Sequence, residues 1–259
     1  MSSPLVRGRL EGDGSGVRVV IVDSGVEVDH PWIAGRCVES FTVDAGRVRP
    51  LASGEPWDRV GHGTACASRV LAVAPHADIV SLRVFQNGMD TTSDALVVAL
   101  RWLRDFPCHV VNLSLSTQRK DRALDIGLAI DDLWERDVAC VSARGYHLHG
   151  KAYPTYFANT IGVNFGSDEI WKLDFHARSL VEFSAEGIQV PVAWCGGETR
   201  RVDGSSFAAP VVAGLAARIL SKEPGLAPYA LRTRLADYAL ASGKLRRAPW
   251  TKPTAPRRR

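Results

Sequence analysis

Short runs of β-branched residues alternate along this chain with stretches of helical length, and that alternation limits the fold more than any other feature. Val17-Arg-Val-Val-Ile-Val22 is almost continuously apolar, the pattern of a strand covered on both faces. Similar runs over residues 77–84, 109–114 and 138–142 read as further strands, with helices over 91–105 and 123–136 between them. Strands joined through helices run parallel, and the helices then cover both faces of the sheet. The expected fold class is α/β, three layers deep, with a mostly parallel central sheet and helices on both faces. Residues 29–57 show no sustained period and read as loop with one short strand near 38–43. Residues 159–165, 179–184 and 189–194 read as shorter strands. The chain then returns through Gly196 and Gly197, and a helix over 226–240 closes the fold.

Three places in this frame carry chemistry. In Val202-Asp-Gly-Ser-Ser-Phe-Ala-Ala-Pro-Val-Val-Ala-Gly214, a glycine-serine turn leads straight into a helix of small residues. Ser206 would begin that helix, where unpaired backbone N–H groups favour a developing negative charge. Pro210 is tolerable there if it lies in the first turn. A serine-capped buried helix fits the same letters. Asp23 ends the first strand, where α/β folds collect functional groups, although aspartates also begin ordinary loops. His62, between Gly61 and Gly63, opens another small-residue helix and leaves its ring free for a partner; a structural histidine is the alternative. Tyr146-His-Leu-His149 has the look of a metal pair, but no nearby cysteine or carboxylate completes a set.

Composition excludes some classes. No apolar run reaches the length of a membrane span, and the first residues lack the apolar segment of a secretory signal, which gives a cytoplasmic expectation. The five cysteines are odd in number and widely spaced, so they read as reduced and mostly buried. Residues 243–259 hold seven basic side chains and no acid, so that a net charge of +4 for the chain leaves −3 for the rest. The expected organisation is a flexible lead over 1–16, one domain over 17–240 and a basic, disordered tail over 241–259. The tail is either a solubilising terminus or a contact for an acidic partner; neither a membrane nor a nucleic acid is an expected partner.

Taken in order, Val20-Ile-Val-Asp23-Ser-Gly, Gly61-His62-Gly-Thr and Gly204-Ser-Ser206-Phe-Ala-Ala-Pro, about 40 and then about 140 residues apart, resemble the three signature segments of the subtilisin-like serine peptidases. Val73-Ala-Pro-His-Ala-Asp, Val111-Asn-Leu-Ser-Leu115, Tyr153-Pro154 and Phe183-Ser-Ala-Glu-Gly187 look like further landmarks, so the resemblance covers roughly residues 17–240. It implies a subtilisin-like fold and peptide-bond hydrolysis through an acyl-enzyme. Ser206 would be the nucleophile, with Ser205 as the rival that the family pattern rejects. His62 would be the general base and Asp23 the residue that orients it. Extended substrate would lie beside Ser114, Leu115 and Ser116 and the segment 85–88, with Arg144 and Gly145 at the pocket that reads one side chain.

The departures are equally informative. Where the family carries an oxyanion-binding asparagine, this chain reads Ser142-Ala-Arg-Gly-Tyr-His147, with Tyr146 in the nearest place. Loss of that donor in subtilisin costs about 10²–10³ in turnover. The backbone N–H of Ser206 remains as one oxyanion donor, and Tyr146, Arg144 and His147 are candidates for a second. The high-affinity calcium site is expected to be absent, because Trp32 follows His30-Pro31 and no insert separates Ser68 from Val73; the expectation is no cofactor and no metal. Asp23 lies so near the start that folding is expected without a preceding chaperone segment, or with a separate chain. These features suggest limited processing of a specific protein or precursor peptide. The alternative is a weakened or inactive peptide-binding module, with an esterase or acyl transferase as the third reading.

Overall fold

The computed structural model describes residues 5–6, 9–33, 35–85, 88, 91–145 and 151–242. Tyr146, the His147/His149 pair and the basic stretch 243–259 lie outside them. In chain order the elements are β1 (Leu5–Val6), β2 (Arg9–Leu10), β3 (Arg18–Asp23), β4 (Cys37–Asp44), β5 (Arg47–Pro50), α1 (His62–Val73), β6 (Asp78–Arg83), α2 (Ser93–Leu103), β7 (Val110–Leu113), α3 (Ala123–Trp134) and β8 (Ala139–Ala143). There follow β9 (Ile161–Ser167), β10 (Asp174–Phe175), β11 (Phe183–Glu186), β12 (Val190–Trp194), β13 (Glu198–Val202), α4 (Ser205–Lys222) and α5 (Pro228–Ser242).

Nine strands form one sheet in the order β10-β11-β9-β8-β7-β3-β6-β4-β5. From β11 across to β4 every pairing is parallel, and β10 and β5 add antiparallel edges. The alternation within β3 shows why both faces had to be apolar. Val19 and Ile21 pack with α1 and α4, whereas Val20 and Val22 pack with α2 and α3. Each is fully buried, worth about 1.5–3 kcal/mol per side chain relative to exposure. The three-layer α/β expectation holds.

The sheet also decides where a site can form. β3 pairs with β6 on one side and with β7 on the other, so the connections leaving β3 and those leading to β7 diverge. A crevice opens at the carboxyl ends of strands at such a switch point. Asp23 is the last residue of β3, and Ser114 follows β7.

Three expectations are corrected. The region 29–57 contains a hairpin, β4 with β5, closed by Ala45 and Gly46 at φ 47° and 76°. Both positive angles suit a two-residue turn that matches strand twist, but β5 is a polar edge that apolar patterning does not reveal. Likewise β12 continues into a paired strand, β13, whose residues are mostly exposed and polar. Finally, residues 10–14 of the supposed lead pack against the domain, while Ser15 and Gly16 are exposed. Leu10 is buried, its carbonyl accepts from Arg218 Nη2 at 2.7 Å, and a side chain on Gly12 would collide with the Arg218 carbonyl. Among the described residues no helix is long and apolar enough to cross a membrane.

Candidate active site

The crevice gathers Asp23, His62 and the Ser206 turn from three elements. Asp23 is wholly buried, and its carboxylate oxygens lie 2.8 and 3.0 Å from His62 Nδ1. Ser24 N–H also donates to Asp23 Oδ1 at 2.8 Å. Burial alone would lower the imidazole's affinity for a proton. The adjacent Asp23 charge outweighs it and holds His62 well above the ordinary histidine range. That contact depends on Gly63, since a methyl there would lie 2.0 Å from the Gly25 carbonyl oxygen and 3.1 Å from Asp23 Cβ.

What holds the start of α1 in place was not apparent from the letters. Gly61 at φ 98° supplies no capping side chain. The buried Asp58 carboxylate does so from outside the helix, accepting from Val60 N, Gly61 N and Ser24 Oγ through Oδ1 at 2.9, 2.8 and 2.9 Å. Its Oδ2 accepts from Thr64 N and Thr64 Oγ1 at 3.0 and 2.6 Å. Ser24 Oγ in turn accepts from Gly63 N at 2.9 Å. Three amides at the helix start, those of Gly61, Gly63 and Thr64, are thereby satisfied, and a negative charge sits at the positive end of the helix. A carboxylate four residues before the histidine was the available signal.

Ser206 lies in the first turn of α4, launched by Gly204 at φ 141°. Its rival Ser205 is buried with an Oγ that has no partner among the described residues, whereas Ser206 is only half-buried. The Ser206 hydroxyl donates to the Ser114 carbonyl at 3.3 Å, and no hydrogen bond joins it to His62 among the described residues. Pro210 proves to lie in the second turn, not the first, four residues after Ser206. Its missing N–H frees the Ser206 carbonyl from the helix ladder. Two other groups take that carbonyl: Ser114 Oγ at 2.7 Å and Cys66 Sγ at 3.4 Å.

Cys66 is the second residue the sequence did not bring to notice. Its buried thiol lies 3.8 Å from Asp23 Oδ2 and 3.9 Å from His62 Nδ1, and burial pushes its pKa up. Asp23, His62 and Cys66 bring three ligating atoms within 4.8 Å of one another, the set most suited to a metal among the described residues. The carboxylate and imidazole there already bond each other. All five cysteines are free; Cys66 and Cys140 are buried and the other three half-buried, fewer than the sequence suggested.

Beside Ser206 opens a cavity of about 330 Å³ lined by Ser114, Leu115, Ser116 and Gly145, with Phe85, Thr91 and Ala143. Arg144 is exposed and is not among the described lining residues; its backbone N–H donates to Val163 O at 2.8 Å. Tyr146, the expected second oxyanion donor, lies outside the described residues.

Comparison with known proteins agrees with this geometry. Residues 14–250 match the family model Peptidase_S8, described as the subtilase family. The chain is 28% identical over 243 residues to an alkaline protease of Alkalihalobacillus alcalophilus, covering 89% of this chain and 60% of that protein. It is also 28% identical over 243 residues to subtilisin Savinase of Lederbergia lenta, covering 89% and 86%. A cold adapted subtilisin-like serine proteinase of known structure superposes with a TM-score of 0.71 at 25% identity, over 86% of this chain and 82% of that one.

Proposed function

The chain belongs to the subtilase family, and on that premise we propose that it is a serine endopeptidase that cleaves peptide bonds through an acyl-enzyme on Ser206. The observation that carries the proposal is the buried Asp23 carboxylate held at 2.8 and 3.0 Å from His62 Nδ1, which leaves Nε2 as the nitrogen able to act as base. Rotation of the Ser206 hydroxyl from the Ser114 carbonyl toward that nitrogen starts the reaction. His62 takes the hydroxyl proton as Oγ attacks the substrate carbonyl, and Asp23 stabilises the imidazolium. The tetrahedral oxyanion is met by the Ser206 N–H, which has no partner among the described residues. His62 then returns the proton to the leaving amine, and water repeats the sequence to release the acid.

An extended peptide lying along Ser114, Leu115 and Ser116 satisfies its backbone groups there, while the cavity takes one side chain. Limited processing of a specific protein or precursor peptide is our reading of the substrate. The five free thiols support a reducing, cytoplasmic setting. The test is labelling by a fluorophosphonate probe together with hydrolysis of a peptide library. Wild type should label and cleave, and Ser206→Ala should do neither. One observation favours a second reading, a peptide-binding module without turnover: the Ser206 hydroxyl is bonded to Ser114 rather than His62. Peptide binding without labelling of the wild type would replace the first reading with the second.

A further inference from the structure

We infer that the ion pair between buried Arg69 and half-buried Glu186 is a positioning device that sets the Ser206 turn against His62; the inference rests on the peptidase reading and assigns two residues within it. Arg69 lies on α1, seven residues after His62. At 3.6 residues per turn, seven residues are nearly two full turns, so the two side chains share one stripe of the helix about 10 Å apart along the axis. The Arg69 side chain is almost completely buried, and its Nη2 pairs with Glu186 Oε2. Nε has no partner, so Glu186 is the sole acceptor for this buried guanidinium among the described residues. A buried charge held by one carboxylate does not drift from it, because separation would leave both charges uncompensated.

Glu186 is placed to pass that constraint on. It ends β11 where the register with β9 shifts between Ala185 and Glu186, the extra residue, Gly166, lying on β9. The next residue, Gly187, accepts from Gly204 N–H through its carbonyl at 2.8 Å. It fits so tightly that a methyl on it would lie 2.7 Å from the Gly204 carbonyl oxygen and 2.6 Å from Phe165 Cβ. Gly204 then launches Ser205 and Ser206. The path therefore runs from the histidine's helix through one ion pair to the end of β11, and through one hydrogen bond to the nucleophile's turn. Val70, next to Arg69, and Val73 pack against Gly214, so this same stretch of α1 is also fixed against α4. The ion pair adds a tie from that stretch to the segment that leads into the Ser206 turn.

Removing one charge alone would strand the other, so the deciding variant is Arg69→Met with Glu186→Met, which replaces both with apolar side chains. With a chromogenic peptide, we expect the thermal midpoint to stay near wild type, KM to stay within about two-fold, and kcat to fall by about 10- to 100-fold, as small misplacements of reacting groups do. Fluorophosphonate labelling of Ser206 should slow in step. Arg69→Lys retains the charge but not the planar fork, and its kcat should fall between the two. A folded double variant with wild-type kcat overturns the inference and leaves the peptidase reading standing. A wild type that neither cleaves nor labels overturns both. If the double variant does not fold, Arg69→Lys decides: unchanged kcat refutes the inference, and lowered kcat at constant KM supports it.

Discussion

Asp58→Ala isolates the contribution of a residue that touches none of the reacting atoms. The carboxylate accepts five hydrogen bonds, three at Oδ1 and two at Oδ2, all within 2.6–3.0 Å. Truncation leaves five donors without that acceptor: Ser24 Oγ, Val60 N, Gly61 N and the N–H and hydroxyl of Thr64. Hydrogen bonds to a charged group contribute about 1.5–3 kcal/mol each when taken singly. They share one acceptor and are not additive, and water will reach part of the gap, so the net loss should be about 3–5 kcal/mol. Asp58→Asn keeps one carbonyl oxygen but turns an amide donor toward existing donors, and should cost about half as much. The assay is urea unfolding at neutral pH followed by a thermal scan. For a domain of this size about 1 kcal/mol corresponds to roughly 2–4 °C, so Asp58→Ala should melt about 10 °C below wild type. A loss under about 1 kcal/mol for the alanine variant would refute the idea that this carboxylate organises the start of α1.

Three further outcomes can be checked. Turnover needs neutral His62, whose pKa is raised, so kcat/KM should climb with pH along a limb whose midpoint lies above the usual histidine value of about 6.5. The stabilisation from the Asp23–His62 pair has the opposite trend: it is complete below the unfolded histidine pKa and is lost as pH rises through the folded one. Gly63→Ala must displace α1 from the Gly25 carbonyl, which lies 2.0 Å from the added methyl; activity should fall by about 10²-fold or more with a lowered melting temperature, and wild-type kinetics would count against the packing argument. Cys66, buried with its pKa raised, should resist iodoacetamide in the native enzyme and react on unfolding; mass spectrometry of native digests showing rapid modification of Cys66 would contradict that burial.

How much of this was legible depended on which physical signal each element carries. The buried parallel strands announce themselves because apolar faces on both sides leave β-branched runs such as residues 18–22, and small residues after His62 and Ser206 announce close-packed helices. Polar edges announce nothing. β5 and β13 are held by backbone pairing and glycine-containing turns, so neither leaves an apolar period to detect. Within the site, the residues that do chemistry stand in recognisable company. Those that hold them do not: Asp58, Cys66, Arg69 and Glu186 act through contacts between segments up to 140 residues apart, and no local pattern encodes such a distance. The packing of residues 10–14 was missed for a related reason, since glycine-rich stretches read as loose unless the surface they fit is known.

A proline in the second turn of α4 has one more consequence. By withholding a rung, Pro210 passes the Ser206 carbonyl to the end of β7 and to the thiol on α1. The nucleophile is therefore moored to the sheet and to the helix that bears its base. Flexing of α4 farther along its length need not drag Ser206 with it, because what keeps the attacking residue in alignment is lateral and belongs to its neighbours.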